Sequence, residues 1–264
     1  MACKEHRIKI IFFDIDGTLV SFKTQSIPAS AKMAIAQLRE KGIKLVIATG
    51  RAFCDINNLE DIAFDGIMAS NGAFCIDAKG EIIAQQFFDK AIMKRLVQFI
   101  DKKPFSCAFM TEKGNFISYA DNNMLYLSSL INLPLPPAEE VSKIIEHGVF
   151  QIGAFIDANM ESELLREVFI DCECSRWHPV FVDFNIKGCN KATGIDNFLA
   201  YFGMNRESTM AFGDGGNDIP MLKHVAIGIA MGNASDDVKD AADYVTDSVD
   251  EDGIMKALKH FYMI

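Results

Sequence analysis

The chain has 264 residues, half of them hydrophobic, and its charged residues, 23 % of the total, sum to a formal net charge of −10. This length and composition suit one or two packed domains and exclude a disordered or fibrous protein. The negative charge opposes binding to nucleic acid or to an anionic membrane surface, so we expect a partner of neither kind.

The first apolar run is short. It covers residues 8–13 and contains Lys9, which is too little for a signal peptide or for the roughly 20 apolar residues of a membrane-spanning helix. No later run reaches that length. We therefore expect a soluble, cytoplasmic protein with no membrane partner, and the sequence leaves a monomer and a homodimer both open.

Buried strands and helices alternate in the first part of the chain. Runs of β-branched and aromatic residues predict the strands, and apolar residues at helical spacing predict the helices. In chain order, the predicted elements are a strand at 8–14, a helix at 28–41, a strand at 43–48, a helix at 52–61 and a strand at 66–70. This alternation indicates a parallel sheet with helices on its faces.

The pattern changes near residue 74, where two short apolar runs flank a glycine-containing turn and predict a β-hairpin. Hairpins and helices then mix up to residue 186, which is typical of an α+β domain. The predicted elements are a hairpin at 74–83, a helix at 89–101, strands at 105–111 and 115–120, helices at 124–131 and 138–147, a strand at 149–157, a helix at 160–169, and strands at 172–177 and 180–186.

The first pattern returns at residue 191. It predicts helices at 191–202, 219–223, 235–242 and 251–261, and strands at 209–212, 225–230 and 244–245. We therefore predict an α/β fold, a Rossmann-like doubly wound parallel sheet that is interrupted by an inserted α+β domain. The predicted boundaries are 1–80 and 187–264 for the core and 81–186 for the insertion.

Polar side chains follow the predicted core strands at the points where these end. In an open parallel sheet, ligands bind beyond the carboxyl ends of the strands. The residues concerned are Asp14, Asp16, Thr49, Asn71, Asp214 and Asp218, and Lys191 opens a helix. Carboxylate oxygens are the ligands that Mg²⁺ prefers, whereas zinc would need a His/Cys cluster that the sequence lacks. The hydroxyl, the amine and backbone N–H groups suit a phosphate.

Four segments resemble the motifs of the haloacid dehalogenase superfamily. In motif order they are DIDGT at 14–18, TGR at 49–51, Lys191, and GDGGND at 213–218. The segments 219–222 and 230–234 further resemble the Cof-type hydrolases of that superfamily. The resemblance implies a Rossmann-like core, with a cap domain in the insertion that opens and closes over the site and selects the substrate.

The resemblance also implies a Mg²⁺-dependent phosphatase acting on a small phosphorylated metabolite, which we expect to be a sugar phosphate. Asp14 would be the nucleophile that forms an aspartyl-phosphate, and Asp16 the general acid and then base. Thr49 and Lys191 would complete the catalytic set. The implied substrate-binding residues are Thr49, Gly50, Lys191 and Asn217, and the implied metal residues are Asp14, Asp16 through its backbone carbonyl, Asp214 and Asp218.

Some assignments have alternatives. Lys187 rivals Lys191 as the third-motif lysine, and Asn190 and Ala192 flank Lys191 where the family usually has a small residue and then a glycine. Arg51 either holds its own loop or reaches the substrate. A sugar phosphomutase shares this core and a similar cap, and a metabolite-binding protein on an inactive hydrolase scaffold is the non-enzymatic alternative, although no motif residue is lost here.

Overall fold

Strands and helices alternate in the first and last parts of the chain. The computed structural model describes residues 8–59, 62–131 and 134–264. Its strands are β1 Ile10–Phe13, β2 Lys44–Ala48, β3 Gly66–Ala69, β4 Phe74–Asp77, β5 Ile82–Gln85, β6 Cys107–Thr111, β7 Gly114–Ile117, β8 Val149–Ala154, β9 Cys172–His178, β10 Phe181–Ile186, β11 Thr209–Gly213, β12 Ile227–Ala230 and β13 Tyr244–Val245. Its α-helices are α1 Ala29–Glu40, α2 Lys90–Lys102, α3 Asn122–Ile131, α4 Val141–Ile144, α5 Ala158–Glu167, α6 Lys191–Phe202, α7 Ile219–His224, α8 Asp236–Asp240 and α9 Gly253–His260.

Strand β1 lies in the middle of the first sheet, whose order is β13-β12-β11-β1-β2-β3-β4-β5. The strands from β13 to β3 in this order are parallel, and the hairpin β4–β5 adds an antiparallel edge. Phe13 pairs with Ile47 on one side and with Phe212 on the other. The carboxyl ends of β2, β1 and β11 therefore lie side by side at one edge of the sheet.

Helices cover both faces of this sheet, and successive side chains of β1 point alternately to the two faces. Ile11 and Phe13 join the apolar cluster that includes helices α1 and α9, whereas Ile10 and Phe12 join the cluster that includes α6, α7 and α8. All four side chains are fully buried. A strand covered on both faces needs apolar residues at every position, which is why it reads as a continuous hydrophobic run. The core is the doubly wound α/β fold that the sequence predicts.

The second sheet has the order β7-β6-β8-β10-β9, and its strands pair antiparallel. Helices α2 and α5 pack on it through an apolar cluster that contains Met93, Leu96 and Leu164 together with Phe109 and Phe184 of the strands. Helix α2 begins after Asp89, whose carboxylate accepts a hydrogen bond from the Ala91 N–H (2.6 Å). This mixture of hairpins and helices is the α+β unit expected from the sequence.

The contacts within the chain divide it into two units. One contains the segment ending at Arg51, Asp55–Gln85 and Asn190–Ile264, and the other contains Ala52–Cys54 and Gln86–Cys189. Both strands of the hairpin β4–β5 thus belong with the parallel sheet. Domain boundaries at 80/81 and 186/187 stay a prediction.

The predicted helix at 52–61 is wrong over the residues that the structure describes; positions 60–61 lie outside them. Only Phe53–Asp55 forms a helical turn, of the 3₁₀ type. The guanidinium of Arg51 donates from Nη1 to the carbonyl oxygen of Asp55 (3.2 Å). In a continuous α-helix that oxygen would accept the N–H four residues further on, so the arginine takes the place of a helical hydrogen bond.

The predicted helix at 138–147 is shorter than expected. Ala138 forms a parallel bridge to Ile117, so the start of the segment runs beside β7 instead of coiling. The α-helix covers Val141–Ile144 and continues as a 3₁₀ turn to His147. In the part of the chain that the structure describes, no helix combines the length and the apolar character that crossing a membrane requires.

Candidate active site

The polar residues predicted to form a site do meet at the carboxyl edge of the first sheet. Asp14 and Asp16 follow β1, Thr49 follows β2, and Asp214 follows β11. These three strands are neighbours and run parallel. The buried strands therefore deliver their terminal side chains to one place, although the residues lie up to 200 positions apart in sequence.

Lys191 joins two of the carboxylates. Its ammonium Nζ lies 2.7 Å from Asp14 Oδ1 and 2.5 Å from Asp218 Oδ1, and the lysine is fully buried. Asn190 caps the helix that starts at Lys191, because its side-chain oxygen accepts the N–H of Ala192 (3.0 Å). The cap fixes the first turn of the helix, and with it the position of the lysine.

The positive charge of Lys191 lies between two carboxylates that repel each other. Burial raises the pKa of Asp14 well above its usual value, with a further rise from the nearby Asp218, and the positive charge of Lys191 opposes both effects. Burial alone would lower the pKa of Lys191, but the charges of the two carboxylates outweigh it and leave the pKa raised. The lysine is therefore protonated at neutral pH, and it compensates carboxylates that burial would otherwise penalise.

Asp218 organises the loop that follows β11. Its Oδ2 accepts the backbone N–H groups of Asp214 and Gly215, both at 2.9 Å, while its Oδ1 faces Lys191. A side chain at Gly213 would collide with Asp218, since an added Cβ would lie 2.5 Å from the Asp218 Cβ. Both carboxylate oxygens of Asp218 are thus engaged in holding protein groups.

Asp214 is held by two side chains from other loops. Thr18 donates to its Oδ1 (3.1 Å), and Asn233 donates to its Oδ2 (3.0 Å). Burial, followed by the charge of Asp218, raises the pKa of Asp214 to about 7. This carboxylate is therefore fixed in direction, and among the described residues no cationic side chain forms an ion pair with it.

The arrangement fits a divalent cation. Oxygens of Asp14, Asp214 and Asp218 all lie within 4.8 Å of one another. Carboxylates this close resist ionisation together unless positive charge joins them, and Lys191 brings only one. Hard oxygen donors at such a spacing match the preference of Mg²⁺.

The side chain of Asp16 is turned toward an arginine. Arg51 donates to both of its oxygens, from Nε to Oδ2 (2.7 Å) and from Nη2 to Oδ1 (2.5 Å). Burial opposes the charge of Arg51, but the hydrogen bonds and the charge of Asp16 raise the pKa of the guanidinium. Arg51 therefore contacts its own loop, which is one of the two alternatives from the sequence, and it also holds Asp16. Its contact with a substrate stays a prediction.

A second group of polar residues follows strands β2, β3 and β11; it consists of Thr49, Gly50, Asn71 and Asn217. The Thr49 hydroxyl accepts the N–H of Arg51 (3.1 Å), and the Asn71 N–H donates to the Thr49 carbonyl (3.0 Å). Asn217 donates from Nδ2 to the Asn71 side-chain oxygen (2.9 Å), and this pair packs against Gly50. Asn71 has a φ of 55°, a left-handed conformation that asparagine tolerates better than most residues.

The structure places Lys191 beside Asp14 and in the same unit, whereas Lys187 belongs to the other unit. Lys187 is exposed and follows β10 of the second sheet. Lys191 is fully buried although Asn190 and Ala192 flank it where the family usually has a small residue and then a glycine, and Asn190 caps the helix that Lys191 begins. The third-motif lysine was thus better indicated by its position at the start of the returning α/β segment than by the residues that flank it.

Sequence reasoning assigned no role to Asn233 or Thr18, which the structure brings into the site. Asn233 also donates to the Gly17 carbonyl (2.9 Å) and accepts the N–H of Val249 (3.0 Å), so it ties three loops together. Thr18 is the last residue of the first motif, so the sequence itself indicated that it lies near the site. Asn233 is 216 residues from Gly17, and its segment was noticed only for its resemblance to Cof-type hydrolases.

Over most of its length, the chain matches one family model, whose description is haloacid dehalogenase-like hydrolase and which covers residues 11–258. Among curated proteins it is 31 % identical, over 259 residues, to the 5-amino-6-(5-phospho-D-ribitylamino)uracil phosphatase YcsE of Bacillus subtilis. That match covers 97 % of this chain and 96 % of the relative.

Two solved structures are similar along the whole chain. BT1666 of Bacteroides thetaiotaomicron, a phosphatase of the same superfamily, matches with a TM-score of 0.92 and 36 % identity, over 100 % of this chain and 98 % of that one. The subclass IIB sugar phosphatase BT4131 matches with a TM-score of 0.88 and 41 % identity, over 97 % of this chain and 100 % of that one.

Proposed function

The chain belongs to the haloacid dehalogenase-like hydrolases, and from this premise we propose that it is a Mg²⁺-dependent phosphatase that cleaves a small phosphorylated metabolite through a phosphorylated Asp14. It is an enzyme, and the family members to which this chain is similar are phosphatases. One observation carries the finer proposal: the buried Lys191 ammonium between Asp14 and Asp218, with Asp214 alongside.

In the first step, a carboxylate oxygen of Asp14 attacks phosphorus, and the bond from phosphorus to the ester oxygen breaks. The product is an aspartyl-phosphate, and Asp16 gives its proton to the leaving oxygen. Lys191 holds Asp14 in place through the 2.7 Å hydrogen bond and keeps it from turning away. The rigid end of β1 thereby supplies the nucleophile in a fixed direction.

In the second step, Asp16 takes a proton from water, and the water oxygen attacks the phosphorus of the aspartyl-phosphate. The bond between phosphorus and the Asp14 oxygen breaks, inorganic phosphate leaves, and Asp14 is regenerated as a carboxylate. The side chain of Asp16 is 39 % exposed to solvent. It can therefore exchange protons with an incoming alcohol or water.

The transferred group needs donors. Two of the three N–H donors of Lys191 are directed at Asp14 and Asp218, which leaves one for a phosphoryl oxygen. The Thr49 hydroxyl accepts from a backbone N–H and keeps its own proton to donate. We assign the remaining contacts to the Gly50 N–H and to Asn217, which the pair with Asn71 orients.

Asp14, the backbone carbonyl of Asp16, and Asp214 would hold Mg²⁺. Asp218 would not bind the ion directly, because both of its oxygens already accept hydrogen bonds; it would instead hold Lys191 and the loop that carries Asp214. Bound there, Mg²⁺ would offset the charge of the phosphate and let an anionic nucleophile approach it.

A sugar phosphate is the proposed substrate class. The support is that the 41 % identical structure is a sugar phosphatase and that the YcsE relative acts on a phosphorylated ribityl compound. The inserted unit would choose among such metabolites, as the predicted cap.

Release of inorganic phosphate from sugar phosphates and p-nitrophenyl phosphate, with Mg²⁺, tests the proposal. We expect release by the wild type, none by Asp14→Asn, and normal release by Asp236→Asn, which changes an exposed aspartate on α8. Equal release by the wild type and Asp14→Asn would rule out Asp14 as the nucleophile. Phosphate retained on a hexose bisphosphate product would instead favour a phosphomutase, and no turnover at all would favour a binding protein.

A further inference from the structure

Phe22 is a large apolar residue exposed beside the site. The residues before it, from Ile15 to Ser21, are mostly buried, whereas Phe22 keeps 62 % of its surface exposed. Isolated exposed hydrophobic residues are common on proteins, so exposure by itself explains nothing. What distinguishes Phe22 is where its ring lies and how its loop is held.

The ring lies against the motif loop itself. A Cβ added at Gly17 would be 2.7 Å from Phe22 Cε2 and 2.2 Å from Asp214 Oδ2. The ring edge and the carboxylate proposed to bind metal therefore flank the same point on Gly17. Gly17 directly follows Asp16, the proposed proton donor to the leaving group, so the ring lies beside the loop that supplies that donor.

The loop that carries Phe22 is anchored on both sides of the ring. Ser21 donates to Asp250 Oδ1 (2.6 Å) and accepts the N–H groups of Lys23 (3.1 Å) and Thr24 (3.3 Å). The Lys23 ammonium pairs with Asp250 Oδ2 at 2.8 Å. The exposure of Phe22 is therefore a property of an ordered loop, and the ring is presented at little further cost in conformational entropy.

We propose that Phe22 is a substrate-binding residue whose ring stacks on the apolar face of a cyclic leaving group, such as the C–H face of a sugar ring. This inference rests on the proposed phosphatase function and adds a contact that selects the leaving group. Aromatic rings bind flat, partly apolar surfaces by dispersion and by removing them from water. An acyclic polyol offers no such continuous face.

The contact with Phe22 should affect the binding of the leaving group but not the binding of the phosphoryl group. The phosphoryl group is held by Lys191 and Thr49 in every substrate, so its binding does not depend on Phe22. The ring acts only on the part of the ester beyond the bridging oxygen. Loss of the ring should therefore weaken the binding of cyclic substrates and leave acyclic substrates and free phosphate unaffected.

The test compares Phe22→Ala, Phe22→Trp and Met33→Ala, the last a change of an exposed apolar residue on α1. Each variant is assayed with glucose 6-phosphate and glycerol 3-phosphate, and with inorganic phosphate as a competitive inhibitor. For Phe22→Ala we expect KM for glucose 6-phosphate to rise about fivefold to tenfold with kcat nearly unchanged. The KM for glycerol 3-phosphate and the inhibition constant of phosphate should not change, and Phe22→Trp should retain the wild-type KM.

Three results would overturn this assignment. A KM for glucose 6-phosphate unaltered in Phe22→Ala means that the ring does not touch the leaving group. An equal rise for both esters and for phosphate means general damage to the site, and a lowered Tm or altered oligomeric state means that the ring packs against protein. Absence of phosphate release by the wild type would refute the proposed function and this inference with it, whereas the first three refute the inference alone.

Discussion

Arg51 holds the carboxylate of Asp16 through two hydrogen bonds, 2.7 Å from Nε and 2.5 Å from Nη2, and the same guanidinium donates to the Asp55 carbonyl. A bidentate pair of this kind fixes the plane of the carboxylate as well as its position. Asp16 must present one oxygen to the leaving group and later to water. The arginine is therefore a positioning residue for the proposed proton transfers.

We expect Arg51→Met to lower kcat about 10- to 100-fold with a smaller change in KM, because Asp16 loses its orientation. Arg51→Lys should restore little, since one ammonium cannot replace the planar fork. Arg39→Met is the matched control, because this exposed arginine of α1 bonds only the backbone carbonyl of Ala63 among the described residues. A rise in KM at constant kcat would place Arg51 on the substrate instead.

Removal of the buried lysine should destabilise the protein. Lys191→Met leaves Asp14 and Asp218 buried without their counter-charge, and we expect the free energy of unfolding to fall by about 3–5 kcal/mol in urea titrations. The exposed Lys187→Met should change it by less than about 0.5 kcal/mol. The double variant Lys191→Met, Asp218→Asn should lose less than the sum of the single changes, and strict additivity would show that the two charges do not interact.

Metal affinity should depend on Asn233. Asn233→Ala removes the hydrogen bond that directs Asp214 Oδ2, so the Mg²⁺ concentration for half-maximal activity should rise about tenfold. Saturating Mg²⁺ should restore most of the wild-type kcat, and EDTA should abolish activity in both proteins. Asn205→Ala, at an exposed asparagine of the same unit, serves as the control. An unchanged Mg²⁺ requirement would show that Asn233 does not set the metal affinity through Asp214.

Gly17 and Gly42 form a matched pair, since both have a positive φ, 80° and 73°. An added Cβ at Gly42 meets nothing within 4 Å, whereas at Gly17 it would lie 2.2 Å from Asp214 Oδ2. Gly42→Ala should therefore cost about 1–2 kcal/mol of stability from backbone strain alone and leave kcat intact. Gly17→Ala should carry the same strain and lose nearly all activity, because it displaces Asp214. Full activity of Gly17→Ala would mean that the loop adapts.

The sequence predicted well those elements whose ends or burial are marked by a few neighbouring residues, such as a helix cap or a continuous hydrophobic run. Helix α6 begins at Lys191 beside its Asn190 cap and ends before Gly203, which adopts the left-handed conformation of a helix stop. Strand β13 has the predicted bounds, and β1 reads as a buried run because both of its faces are covered. The helix predicted after Arg51 is wrong over the described residues, and there the arginine side chain donates to the Asp55 carbonyl, an acceptor that a helix would use.

The hairpin β4–β5 illustrates a different limit. Its two strands were recognisable from the turn between them, but the sequence pattern changes near residue 74 and the predicted domain boundary at 80/81 runs through the hairpin. The antiparallel pairing of β4 with β3 places it at the edge of the parallel sheet instead. The neighbour with which a strand pairs depends on its register and on how the elements pack in three dimensions. The local sequence pattern contains little information on either.

The sequence by itself determined which residues end the buried strands, and hence that carboxylates, a hydroxyl and an amine would gather at one edge of a parallel sheet. Short-range signals suffice for that, because a continuous hydrophobic run marks a buried strand, and alternating strands and helices indicate parallel strands whose carboxyl ends share one edge. Only the tertiary structure decided the pairings: Lys191 with Asp14 and Asp218, Asp16 with Arg51, and Asn233 with Asp214. These contacts join positions 19 to 177 residues apart, and their geometry depends on the packing of whole elements, which no window of sequence contains.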